Sequence, residues 1–338
     1  MATASIALAP HRGSLIIRHR SRQLAGAIWR LLAAFVPVFL LGSFFTFLLG
    51  SISGLNPAPL QLGDGASLSA VHALEQKWGL TRPFFDQYFT WLGHVLSGNL
   101  GRSWANNNPV STLLEGRAII TLSAAGLALL IGIVFGFALG ALAARFQNTW
   151  VDRLVTILSA TISTLPPFIV GVVLIDLFAT SLHLLPAAGY VSMSQGFGQW
   201  FSHIILPAVA LSFDTVADVA RQLRIGLVSA KRQHYVTGAV VRGLSGRRVF
   251  WVHTLRNAIG PSIAVLGLKF PALLGGAVVT ESIFQLSGYG QFATQAAVQG
   301  DVPSVQAVLV VAVILVVIFN MVVNIILNAL IPSASRGT

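Results

Sequence analysis

Three ionisable side chains, Asp214, Asp218 and Lys269, stand inside long apolar runs of the sequence. A charge there is expensive and is kept for pairing or for handling ions and polar cargo. Asp214 and Asp218 are four residues apart, a spacing that places two carboxylates on one face of a helix. At 1.5 Å per residue, Asp214 lies about 16 Å from His203 and Lys269 about 18 Å from Asn257, so acid and base can meet near a bilayer midplane. Two readings stay open: a buried Lys–Asp pair tying two helices together, or groups lining a translocation path, where a carboxylate meets a peptide ammonium or another cation. Asp176, roughly 22 residues into a further apolar run, belongs with the path reading near the outer end of its helix.

Other chemistry is poorly supplied. The chain has no cysteine, which removes disulfides, thiolates and Cys-based metal sites. Its eight histidines are scattered, with no two at i, i+4 on one span, so no metal site is expected. No His, carboxylate and nucleophile converge on one face, which argues against a membrane-embedded enzyme. A phosphate-binding G-x-x-x-x-G-K-[ST] loop is also missing. Gly288 and Gly290 in "SGYG" follow no strand and read as a turn.

The elements that must position the charges are membrane spans. Of the 338 residues 55% are hydrophobic and 9% charged, and the mean hydropathy is +0.78; soluble domains carry roughly 25% charged residues. Apolar runs near Leu31 to Gly50, Ala118 to Ala144, Leu154 to Leu177, His203 to Ala230, Ala258 to Thr280 and Pro303 to Ile331 each suffice to cross a bilayer. The first is too long for the core of a signal peptide and reads as a transmembrane helix. The expected fold is therefore all-α, an integral membrane protein with six transmembrane helices.

Orientation follows from Lys and Arg. Arg12, Arg18, Arg20, Arg22 and Arg30 precede the first span, Arg145 and Arg153 follow the second, and Arg221, Arg224, Lys231, Arg232, Arg242, Arg247, Arg248 and Arg256 surround the connection after the fourth. With Arg336 these are 16 of the 21 basic residues, against Lys77, Arg82, Arg102 and Arg117 on the opposite side. Both termini are expected in the cytoplasm. The net charge of +11 is thus sorted by membrane side, which excludes a nucleic-acid-binding face. Residues 1–27 form a basic cytoplasmic tail, 28–332 the transmembrane domain with an extracytoplasmic segment at 51–116 and a cytoplasmic loop at 231–257, and 333–338 a short cytoplasmic tail.

Three features bear on packing. Gly132, Gly136 and Gly140 make a small-xxx-small stripe for close helix approach. Pro166 and Pro167 must kink or break the third helix, which places that region toward the bundle interior. Within 51–116, Trp78, Tyr88, Trp91 and Trp104 suit an interfacial belt, with short amphipathic helices on the outer membrane surface.

In the loop "VTGAVVRGLSGRRVFWVHTLRNAIGP", Val236, Ala239 and Val240 sit at i, i+3, i+4 before Gly243, the residue suited to a left-handed helix end. Ser245 can cap a second helix whose Val249, Val252, Leu255 and Ile259 share a face, with Arg247 and Arg248 pointing away. The expectation is two short helices hinged at Gly243, and a docking surface for a cytoplasmic partner.

The stretch Tyr235 to Pro261 resembles the signature cytoplasmic loop of binding-protein-dependent ABC import permeases, most closely the first of the two permeases in dipeptide, oligopeptide and nickel importers. "GLTRPFFDQYFTWLGHVLSGNLGRSW", "STLPPFIVGVVLIDLFA", "LPAAGY" and "GGAVVTESIFQLSGYGQFATQAAVQGDVPSVQ" extend the resemblance over about residues 28 to 332. The chain departs from the family pattern at Ser229 and His234, where acids are usual, and at Gly238, where threonine is usual. The resemblance implies a type I importer-like permease fold. It also implies that Tyr235, Val236, Thr237, Gly238, Ala239, Val240, Arg242, Gly243, Leu244 and Ser245 form the coupling helix seated on an ATP-binding subunit. The implied partners are a second homologous permease, one or two ABC ATPase subunits that bind ATP and Mg, an extracytoplasmic substrate-binding protein and the surrounding lipid. The chain itself is then a transport subunit without cofactor, for short peptides or alternatively for nickel or another small solute. A stand-alone secondary transporter is disfavoured because no inverted repeat of broken helices is visible. The family usually has uncharged residues at the places of the intramembrane charges, so these are expected to report the cargo.

Overall fold

The computed structural model describes residues 33, 35–63 and 65–330. The two predicted terminal tails, and the start of the first predicted span, lie outside the described residues. Among the described residues the chain is helical throughout, with one isolated β-bridge between Arg102 and Pro109. Five helices are long and apolar enough to cross a membrane: α1 (Phe35–Ile52), α5 (Val110–Arg145), α8 (Phe197–Lys231), the helix running Gly246–Ile283, and α13 (Val302–Leu330). A sixth apolar stretch is divided between two helices, α6 (Trp150–Ile162) and α7 (Pro167–Leu174), the latter continued by a π-helical turn over Ile175–Ser181.

The α6–α7 pair is bent by 100°. Of the kink or break expected at Pro166 and Pro167, the structure shows the break, into two separate helices. Pro166 offers no N–H and holds an extended ψ of 138°, while Pro167 opens α7 at the first helical position, where a missing donor costs nothing. Two other predicted limits shift: α5 begins at Val110, inside the segment assigned to the outer surface, and α8 begins at Phe197 rather than near His203.

The glycine stripe brings α5 and α8 close together. A Cβ on Gly132 would lie 2.5 Å from Thr215 Cγ2, one on Gly136 2.7 Å from Val219 Cβ, and one on Gly140 2.6 Å from the Ala220 carbonyl oxygen. Each step of four along α5 thus matches about one turn along α8, and the two helices run parallel. Ala124, Ala125, Ala128, Ala208, Ala210 and Ala277 extend the same small-residue contact into a core closed by Leu211, Leu273, Phe284 and Leu286. At the far end of the Gly246–Ile283 helix, a Cβ on Gly171 would lie 3.1 Å from the Phe284 ring, so α7 packs directly beside it.

Three helices precede α5: α2 (Pro57–Leu62), α3 (Leu68–Trp78) and α4 (Phe84–Leu96). Their aromatics pack on one another and on α1. Tyr88 is buried, edge-on to Phe44 and Phe47 of α1 at 5.6 and 5.7 Å, and its hydroxyl lies 3.0 Å from Ser43 Oγ. Trp91 packs tilted against Phe39 and Phe47, and Trp78 stacks on Trp104 at 5.7 Å. These contacts arise because α4 runs back along α1, bringing the two sets of rings together. This lobe is stapled to α13 by Asp301, which accepts from Ser103 Oγ (2.5 Å), the Trp104 amide (3.0 Å) and Ser304 Oγ (2.7 Å).

Replacing Gly140 with Leu would drive a side chain into the α8 backbone, an overpacking cost of about 1–3 kcal/mol or more. We expect a lower melting temperature and a broadened size-exclusion profile in detergent. Gly126→Ala, where a Cβ meets nothing within 4 Å, should leave both unchanged.

Candidate functional site

The arginine-rich connection contains α9 (His234–Val241) and the short α10 (Gly246–Arg248). Gly243, at φ 74°, ends α9 in the left-handed conformation. Its amide donates to the Val240 carbonyl at 2.9 Å and the Leu244 amide to that of Ala239 at 3.2 Å, a paired closure that satisfies the last turn. Leu244 then joins Val236, Ala239 and Val249 in a small buried cluster. Val240 lies outside it and is exposed, because Leu244 folds under the helix and takes the inner position. Arg242 Nε donates to the Gly238 carbonyl at 3.0 Å.

The second half differs from two hinged helices. Ser245 stands at the N-cap with extended backbone, but its side chain makes no capping bond. Beyond it α10 runs without a stop through a π-helical segment, Val249–Leu255, into α11 (Arg256–Ile283). The π turn moves the inward face on by one residue: Val249, Thr254 and Ala258 are buried and Val252 is exposed, where a regular helix would have buried Val252. Thr254 Oγ1 donates back to the Val249 carbonyl at 3.2 Å, five residues earlier. The result is one rod of 38 residues, about 57 Å long, with α9 clipped to its first turn.

Outward from that clip, α9 presents Tyr235, Val240 and Val241 beside Arg242, Arg247 and Arg248, all exposed. Burial against the rod pushes the Tyr235 phenol up, partly offset by its hydrogen bond with Asn257. An apolar patch rimmed by guanidinium groups can seat a complementary protein groove.

Farther along the rod, Lys269 Nζ lies 2.6 Å from Asp214 Oδ2 and also bonds Asp218, which in turn pairs with Arg221. Asp214, Asp218 and Lys269 are thus brought together across the α8–α11 seam. Asp176 is not: it is exposed on the π turn of α7, with no ion pair among the described residues. Toward the arginine-rich end the same seam opens into a cleft of about 440 Å³, lined by Gln222, Ser229, Gln233, Tyr235 and Asn257 among others. Among the described residues no three His, Asp or Glu side chains gather as a metal site.

Besides Asp301, two further buried carboxylates escaped the sequence reading. Asp152 receives a two-pronged bond from Arg224, with Nη2 at 2.7 Å, and a further bond from the Asn148 amide at 2.9 Å, locking α6 to α8. Glu281, 1% exposed, accepts from Thr121 Oγ1 at 2.5 Å and from the Gln291 amide at 3.0 Å, while Thr121 Oγ1 accepts from the Tyr289 amide at 2.8 Å. Gly288 closes over this cluster, since a Cβ there would come within 2.6 Å of Thr121 Oγ1. The available signal was the "SGYG" turn after an acid one residue past an apolar run.

Residues 132–336 match the family described as binding-protein-dependent transport system inner membrane component, and residues 24–125 match its N-terminal membrane component. A probable peptide ABC transporter permease of Sinorhizobium fredii is 34% identical over 283 residues, 84% of this chain and 90% of that one. A glutathione transport system permease of Salmonella typhimurium is 31% identical over 276 residues, 82% and 88% of the two chains. A chain of the methionine ABC transporter MetNI, in an inward-facing conformation, shares the fold with a TM-score of 0.55 at 18% identity, covering 66% of this chain and 99% of that one.

Thr121→Val removes one donor and one acceptor from the Glu281 cluster, and Glu281→Gln turns an amide group toward the Gln291 N–H. Each should cost about 1–3 kcal/mol. Thermal melts of both variants matching the unaltered protein would show that the cluster does not hold the turn between α11 and α12 (Tyr289–Val298).

Proposed function

The chain belongs to the family of binding-protein-dependent transport inner membrane components, and on that premise we propose that it is a permease subunit of an ATP-driven importer of short peptides. It is a multi-pass inner membrane protein and a transport component. The observation that carries the mechanism is the clip of α9 onto a rod that runs unbroken from Gly246 to Ile283.

In this reading the arginine-rich end faces the cytoplasm, as the Lys and Arg distribution favours. Tyr235 to Ser245 is the coupling segment, held in the groove of an ATPase subunit. ATP and Mg belong to that partner, because this sequence has no phosphate-binding loop of its own. Closure of two ATPase subunits pushes α9, and the push passes along the rod instead of being absorbed at a hinge. A second homologous permease faces the α8–α11 seam, and cargo moves between the two chains past Asp214, Asp218 and Lys269, with Asp176 toward the outer mouth. An extracytoplasmic binding protein delivers the cargo there. Helix switching of this kind alternates the side to which the passage opens. The named peptide and glutathione permeases among its relatives favour a peptide cargo over nickel or another small solute.

Gentle purification from the native host should recover a second permease with one or two ATPases, and the reconstituted complex should take up dipeptides only with ATP. Gly243→Val, at φ 74°, should cost about 1–2 kcal/mol at the clip and lower coupled uptake. Uptake by the chain alone without ATP would refute the importer reading, and unaltered uptake in the Gly243 variant would remove α9 from the coupling.

A further inference from the structure

We propose that the Asp214, Asp218, Lys269 and Arg221 cluster is a contact site for zwitterionic peptides, in which the acids take the ammonium while Lys269 and Arg221 take the carboxylate. The inference rests on the importer reading above and adds to it the chemistry of cargo recognition inside the membrane.

A structural tie alone explains little of this arrangement. The two helices are already locked by close approach: a Cβ on Gly226 would run into the Ala258 carbonyl, and one on Gly276 would touch Leu211 at 3.5 Å. Replacing a purely structural buried ion pair with apolar residues is commonly neutral or stabilising. The side chains are also reachable, with Asp214 at 37% and Arg221 at 48% relative exposure, on a seam left open between α8 and α11.

Charge composition selects the ligand. The cluster has two acids and two bases and is neutral overall. A site built for a divalent cation would present its carboxylates without an ammonium bridging them, and Lys269 bridges both. A neutral group of mixed sign instead suits a ligand that carries both signs, because each incoming charge replaces a resident partner and no ion is left bare. Asp214, Asp218 and Arg221 climb one face of α8 in steps of roughly 5–6 Å. An extended dipeptide spans about 7 Å, so its two ends can engage neighbouring steps. The face continues through Gln222, Ile225 and Ser229 into the cleft of about 440 Å³, a polar exit in line with the charges.

The test uses the complete reconstituted complex. A photo-crosslinking residue at Ile225 should capture a labelled dipeptide. Unlabelled dipeptide with free termini should compete, whereas the same dipeptide acetylated and amidated should not. The neutral double variant Asp214→Asn with Lys269→Met should still recover the complex but lose about tenfold in dipeptide uptake. Equal competition by the blocked peptide, no capture at Ile225, or full uptake by the double variant would overturn the proposal while leaving the importer reading intact. If the double variant fails to assemble, capture and competition at Ile225 in the otherwise unaltered complex decide the matter. Absence of ATP-dependent dipeptide uptake by the unaltered complex would overturn both.

Discussion

Inside a bilayer there is no water to expel between helices, so association depends on how near two backbones can come. In this protein a run of three such approaches lies where α5 meets α8 along Gly132, Gly136 and Gly140. Every other placement refers to this contact. It fixes the face of α8 that turns toward α11, and therefore where Asp214 and Asp218 project. About three turns before Gly132, on nearly the same face of α5, Thr121 reaches Glu281 at the far end of the rod.

Two buried carboxylates then hold the ends of the bundle without competing with the seam. Asp152 anchors α6 to α8 through Arg224 at the arginine-rich end, and Glu281 anchors the α11–α12 turn at the other. Both accept at least two hydrogen bonds and are closed to solvent, as buried polar groups require. The Asp214 cluster between them is of another kind, being partly open and shared among four charges. That difference separates carboxylates that hold the architecture from those placed to meet a ligand.

Much of this was legible in the sequence because the responsible signals are local. Apolar runs gave the spans, the i, i+4 glycines gave the packing face of α5, and a glycine before "LSG" gave the end of α9. What stayed hidden was non-local or silent. Glu281 and Thr121 are 160 positions apart, and Asp152 and Arg224 are 72 apart, so neither pairing has a spacing to read. The Pro166–Pro167 pair announced a break but not its angle, which depends on packing against α8 and α11. The π turn leaves no residue-type signature at all, and a periodicity of 3.6 therefore misassigned Val252 to the buried face.

That π turn has a consequence for how the rod could have arisen. An i+5 turn accommodates one residue more than regular helix, and one residue is about 100° of rotation. The angular phase between the α9 patch and Lys269 is thus set by a single inserted position within Val249–Leu255. Relatives lacking that insertion would carry the same helices with the docking patch and the charge-bearing face geared differently. Length change in this one turn is a way for evolution to retune how a partner's stroke is aimed at the cargo seam, without altering a residue at either site.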